Sequence, residues 1–140
     1  MMRPSNPWNS YRRVAMETAP PGQLILMLFD GILRFLDQSM QGFAHEDPLE
    51  FNRTINNNIL RAQAIIQELN SSLNMEVGGE FAATMRGLYQ YMDRRLQESN
   101  LRKTQEGIHE VIQRVTVLRD AWREMLQKQP AAMPELAGVA

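Results

Sequence analysis

Leu24-Ile25-Leu26-Met27-Leu28-Phe29-Asp30-Gly31 is six consecutive apolar residues closed by an Asp-Gly pair. At about 100° per residue the six cover nearly the whole helical wheel. The apolar residues that follow, Ile32, Leu33, Phe35, Leu36, Met40 and Phe43, keep to one broad side, and Met27 falls almost opposite it. A helix in water that is apolar all round must be covered, by its own fold or by a partner. The stretch therefore asks for neighbours on two sides, or for something that docks.

Outward from it, the pattern stays helical. No period-2 alternation is sustained, and Asp30-Gly31 lies inside a helical pattern instead of between two strands. Four segments carry the 3-and-4 spacing of a helix. The first runs over about 21–43, with Pro21 in the first turn, where a missing N–H costs nothing. The second spans about 48–73. Asp47 can cap it, Pro48 opens it, and Glu50 can complete a capping box. Its apolar stripe is Ile55, Ile59, Ala62, Ile66, Leu69 and Leu73.

The third segment covers about 77–100, with Asn74 as cap, Glu80 near the positive end of the dipole and Asn100 as a stop. Its stripe is Phe81, Met85, Leu88, Met92 and Leu96. The fourth covers about 105–128, with Ile108, Val111, Ile112, Val115, Leu118, Trp122 and Met125 on one side. Helices of this length, about 35 Å at ~1.5 Å per residue, joined by short links must run antiparallel to their neighbours. The fold expected is all-α, an antiparallel up-down-up-down four-helix bundle over 19–128 with a mobile N-terminal arm (1–18) and a frayed tail (129–140). Gly31, costly inside a helix, is read as a site of close helix approach.

Composition narrows the function. A chain of 140 residues can bury roughly 68% of its unfolded surface without staples. It has no cysteine, which removes disulfides, thiol nucleophiles and cysteine metal sites and is compatible with a reducing compartment. No signal-like apolar core opens it, and no apolar run approaches the roughly 18 to 20 residues of a membrane span. Fifteen Lys and Arg against sixteen Asp and Glu give a net charge of −1, which disfavours nucleic acid. The densest basic stretch, Arg94-Arg95 with Arg102-Lys103, reads as a solvated helix end.

Chemistry is sparse. A di-iron bundle needs Glu-x-x-His on two helices, and only Glu106-x-x-His109 matches; the other histidine, His45, has no glutamate three before it. No nucleophile elbow, phosphate loop or zinc-protease motif occurs. Gly78-Gly79-Glu80 reads as a packing and turn feature, since Glu80 would repel an anion there. No enzyme activity, cofactor or metal is expected. What remains suits a binding surface. There are ten methionines, and Trp8, Tyr11 and Val14 recur at i, i+3 and i+6 in the arm, where two aromatics can dock on the bundle or pack against its end.

Tyr11, Ala19-Pro20-Pro21-x-Gln23-Leu24-Ile25 and Met27-Leu28-Phe29-Asp30-Gly31, taken with Asn58 to Leu73, Gly78-Gly79-Glu80, Leu88-Tyr89-x-Tyr91-Met92-x-Arg94-Arg95-Leu96, Asn100-Leu101-Arg102, Glu110-Val111 and Ala121-Trp122, form an ordered set. This set resembles the FliS family of flagellar secretion chaperones, over roughly Tyr11 to Leu126. The resemblance implies a cytoplasmic, non-enzymatic bundle that binds the C-terminal segment of flagellin, prevents its premature polymerisation and aids delivery to the flagellar type III export apparatus, with room for additional regulatory protein partners. It implies that the arm covers the cargo site when cargo is absent, which makes Trp8 and Tyr11 lid residues. Met27, Asn58, Ile59 and Ala62 are the candidate cargo-groove positions, although no motif transfers cargo contacts one by one. Two departures stand out: Pro20 replaces the usual capping Ser before the first helix, and Asn74 replaces an Asp. The alternative reading is a self-associating helical bundle without flagellin cargo.

Overall fold

The computed structural model describes residues 21–128. Among them four helices pack together: α1 (Pro21–Gly42), α2 (Pro48–Ser71), α3 (Met75–Arg102) and α4 (Glu106–Lys128). Each packs against its sequence neighbour, and α4 closes the ring against α1. Polar contacts fix the directions. Ser39 Oγ, late in α1, donates to Ile55 O, early in α2, at 3.4 Å; Asn100 Nδ2, late in α3, donates to Asn56 Oδ1, early in α2, at 2.9 Å. Trp122 Nε1, late in α4, donates to Gly22 O, early in α1, at 2.8 Å. Every adjacent pair is therefore antiparallel, the arrangement that short links between long helices require. The arm and tail expected at either end lie outside the described residues, as does Pro20.

The apolar run of α1 is mostly covered within the fold. Ile25, Leu26, Leu28 and Phe29 are buried, and only Leu24 and Met27 remain half-exposed. A helix flanked by α2 on one side and α4 on the other can bury most of its wheel, and α1 does. The core continues through Ile32, Leu36, Ile55, Ile59, Ile66, Leu69, Met92, Leu96, Ile108, Val111 and Val115, all essentially inaccessible. Removing any of these would leave a cavity costing about 2–5 kcal/mol for a Leu or Ile cut to Ala.

Helix ends follow their caps, with instructive exceptions. Asp47 accepts the N–H of Glu50 at 3.1 Å, as expected of an N-cap, but the Glu50 carboxylate takes Arg53 Nη1 at 3.3 Å instead of completing the box. Asn74 accepts the N–H groups of Glu76 and Val77 at 3.2 and 3.0 Å, so α3 starts two residues before the expected Val77. It also ends two residues late. Asn100, expected to stop the helix, is buried, its amide spent on Asn56 and its oxygen on Lys103 Nζ at 2.7 Å. The left-handed cap falls on Lys103 instead, at φ 52° and ψ 56°.

Helices approach closely at Gly107. A Cβ there would overlap Ser99 Oγ and lie 3.0 Å from Arg95 O, so α3 and α4 touch backbone to backbone at this end. Gly31, the position expected from sequence to allow close approach, is buried.

Candidate cargo cleft

Away from that pinch, α3 and α4 part. Gly79 adopts φ 54° and ψ −130°, a conformation closed to L side chains, and breaks the first turn of α3 from the rest. Met75, Val77 and Phe81 flank the break, and all three are exposed apolar residues. Beside them lies a cleft of about 200 Å³, almost wholly apolar in its lining.

Three helices build it. From α1 come Ile25 and Phe29; from α3 come Phe81, Met85 and Tyr89; from α4 come Leu118, Ala121, Trp122 and Met125. The Trp122–Gly22 hydrogen bond holds the α4 wall against the start of α1. Tyr89 is 2% exposed, and its burial pushes the phenol well above the usual tyrosine range, so it stays neutral at any physiological pH. Phe81, at the rim, is half exposed.

No Asp, Glu, His, Lys or Arg lines the cleft. It therefore carries no acid, base or charged nucleophile, and among the described residues no group of three His, Cys, Asp or Glu could hold a metal. No described helix is long and apolar enough to cross a membrane. What such a lining can offer is desolvation: space for an apolar side chain out of contact with water.

The positions singled out from sequence do not converge on this cleft. Trp8 and Tyr11 lie outside the described residues. Met27 is half-exposed on α1. Asn58 is buried, its Nδ2 donating to Thr54 O at 2.8 Å and its Oδ1 without a partner, while Ile59 and Ala62 have no exposed surface to offer a ligand. Stripe residues of a helix face inward by the reasoning that identifies the stripe, so Ile59 and Ala62 are core. The cleft residues of α3 and α4 were visible only as stripe members, except Ala121 and Tyr89, the latter taking the buried position that periodicity gives to Leu88. The available signal was Gly78-Gly79 followed by Phe81: a breaker at the head of a stripe leaves its first large residue poorly covered.

Comparison with known proteins gives the chain a family. The family model described as flagellar protein FliS matches residues 4–129. The chain is 36% identical to the flagellar secretion chaperone FliS of Bacillus subtilis over 135 residues, 96% of this chain and 97% of that protein. It is 34% identical to the protein of the same name from Campylobacter jejuni over 125 residues, covering 89% and 94% of the two chains. With that of Salmonella typhimurium it shares 32% identity over 123 residues, 85% and 89% of the two. A bundle with an apolar cleft and no reactive side chain in it, matched along nearly its whole length, belongs to the FliS family of flagellar secretion chaperones.

Proposed function

We propose that this chain is a cytoplasmic export chaperone for flagellin: it binds the C-terminal segment of the monomer, prevents premature polymerisation, and aids delivery to the flagellar type III export apparatus. The observation that carries the reading is the apolar cleft between α1, α3 and α4, open at the Phe81 rim. Family membership supports the choice of cargo. A disordered tail that folds on binding loses about 2 to 5 kcal/mol or more in ordering. Each fully buried Leu, Ile or Phe anchor returns roughly 1.5 to 3 kcal/mol. One anchor in the cleft does not suffice, so the cargo extends over further surface, including the accessible side of Met27. Asn58, Ile59 and Ala62 then support that face from the interior of α2.

In this reading Trp8 and Tyr11 form a lid that occupies the cargo site until cargo arrives. The spacing of two aromatics shortly before α1, whose Gly22 accepts the hydrogen bond of the cleft residue Trp122, supports it. The test is calorimetry with a flagellin C-terminal peptide on the full chain and on a chain truncated before Val14. Truncation should raise affinity and leave the melting temperature nearly unchanged. Unchanged affinity with a clear drop in melting temperature would make the arm a packing element. Absence of peptide binding by both chains, with self-association in sedimentation, would favour the cargo-free bundle.

A further inference from the structure

Arg94 and Arg95 read in the sequence as part of a helix end, but α3 runs on to Arg102, two turns further. What surrounds them is a built cluster. Glu110 on α4 accepts three hydrogen bonds: from Tyr91 Oη at 2.7 Å, Arg95 Nε at 2.8 Å and Arg114 Nε at 2.9 Å. Those donors hold its carboxyl down at about 2, so it stays ionised and keeps both arginines in place. The Arg114 and Arg94 guanidinium carbons lie 5.1 and 5.9 Å from the centroid of the Tyr91 ring.

The arginines are not used up. A guanidinium has five N–H donors in a fixed fork, and Arg114 meets Glu110 through Nε alone. Among the described residues Arg94 has no carboxylate within ion-pair distance and no hydrogen bond of its own. Besides Glu110, the acid facing the cluster is Glu98, 4.0 Å from Arg95. Three cations against two carboxylates leave the cluster positive. A shallow furrow between α3 and α4 adjoins it, with Leu88, Val117 and Leu118 as its apolar lining and Arg114 on its edge. Val117 is 68% exposed, one of the most exposed large apolar residues described.

We propose that this furrow and its arginines form a docking surface for an acidic amphipathic helix of a partner protein, which seats an apolar side chain between Leu88 and Val117 and a carboxylate on Arg114 and Arg94. The geometry suits that occupant. Val117 and Arg114 are one turn apart on α4, about 4.5 Å along the axis, and i, i+4 side chains of a helical ligand are separated by about 5–6 Å. The resident Glu110 favours a singly charged carboxylate over a doubly charged phosphate, which it would repel more strongly. The chain's net charge of −1 argues against nucleic acid. None of this depends on the cargo cleft or on what fills it.

The test uses a fluorescein-labelled helical peptide with Leu and, four residues on, Glu, beside a matched peptide with Gln in place of Glu. Fluorescence polarisation on the full chain should show the Glu peptide binding about tenfold tighter than the Gln peptide. The preference should shrink as salt rises, because the arginines are solvent-accessible. Arg94→Ala, which removes no hydrogen bond of the fold, should reduce the preference. The Arg94→Ala/Arg114→Ala pair should abolish it, with melting temperature followed as a control, and Val117→Asp should weaken both peptides. Equal affinities, no binding of the Glu peptide up to about 1 mM, or a preference that survives the double substitution would overturn the proposal. So would tight binding of a phosphoserine version alone.

Discussion

Gly107→Ala tests the pinch that holds α3 against α4. The new Cβ would lie 3.0 Å from Arg95 O, a backbone atom that cannot step aside, where ordinary contacts begin at 3.4 Å. It would also overlap Ser99 Oγ, which can rotate only within a site 1% exposed. Overpacking of this kind costs about 1–3 kcal/mol, offset by up to about 1 kcal/mol of helix propensity gained in replacing Gly. The net expectation is a destabilisation of about 1–2 kcal/mol, read as a lower urea midpoint at unchanged slope. Ser99→Ala supplies the second arm of a cycle. Its hydroxyl is buried with no hydrogen-bond partner, so removing it should be neutral or stabilise by up to about 1 kcal/mol. In the double variant the Oγ overlap is gone and only the Arg95 O contact remains, so the pair should show a favourable coupling of about 0.5–1 kcal/mol. A Gly107→Ala chain as stable as the parent, or effects that add without coupling, would refute the pinch.

Two other glycines make a matched contrast, because a Cβ at either Gly79 or Gly87 would meet nothing within 4 Å. Gly79→Ala should cost about 1–3 kcal/mol through its backbone at positive φ, whereas Gly87→Ala inside the regular helix should gain about 0.5–1 kcal/mol; thermal melts of both check this. Glu110 sets a pH dependence. Its folded pKa of about 2 lies below the ordinary 4.5, so its contribution is fully present above about pH 4.5 and is lost as pH falls towards 2. Chemical unfolding across that window should show a smaller acid loss for Glu110→Gln than for the parent chain.

The helices were legible because burial leaves a periodic trace, and α2 was clearest because Asp47 and Pro48 also mark its start locally. The limits of α3 were less legible. Asn100 has the chemistry of a stop, but its side chain is claimed by Asn56, 44 residues away, and by Lys103. No local pattern reports a contact of that range. Tyr89 for Leu88 is a similar case: both fit a stripe within one step, and the neighbours of α3 decide which goes inside. The cleft lay furthest from view. Its residues, among them Met85, Leu118, Trp122 and Met125, look like ordinary core in a helical wheel, and the space between them depends on how three helices from distant parts of the chain sit against one another.

The seam between α3 and α4 is thus unequal along its length, and the inequality suits a chaperone. At one end Gly107 lets the backbones touch, and Glu110 joins Tyr91, Arg95 and Arg114 across the seam. At the other, the broken turn of α3 leaves Phe81 uncovered beside an apolar space. The end of α1 also packs tightly against α2: a Cβ at Gly42 would come within 3.0 Å of both Thr54 and Ile55. Open apolar surface is an aggregation hazard while it waits for cargo, and a cleft of about 200 Å³ confines it to a small volume. That confinement limits what the cleft alone can hold. A single buried anchor worth roughly 1.5–3 kcal/mol cannot balance an ordering cost of about 2–5 kcal/mol or more and leave useful affinity. On the proposed reading the cleft is therefore one of several contacts, and the exposed Met75 and Val77 at the head of α3 offer apolar surface along which a bound segment can extend.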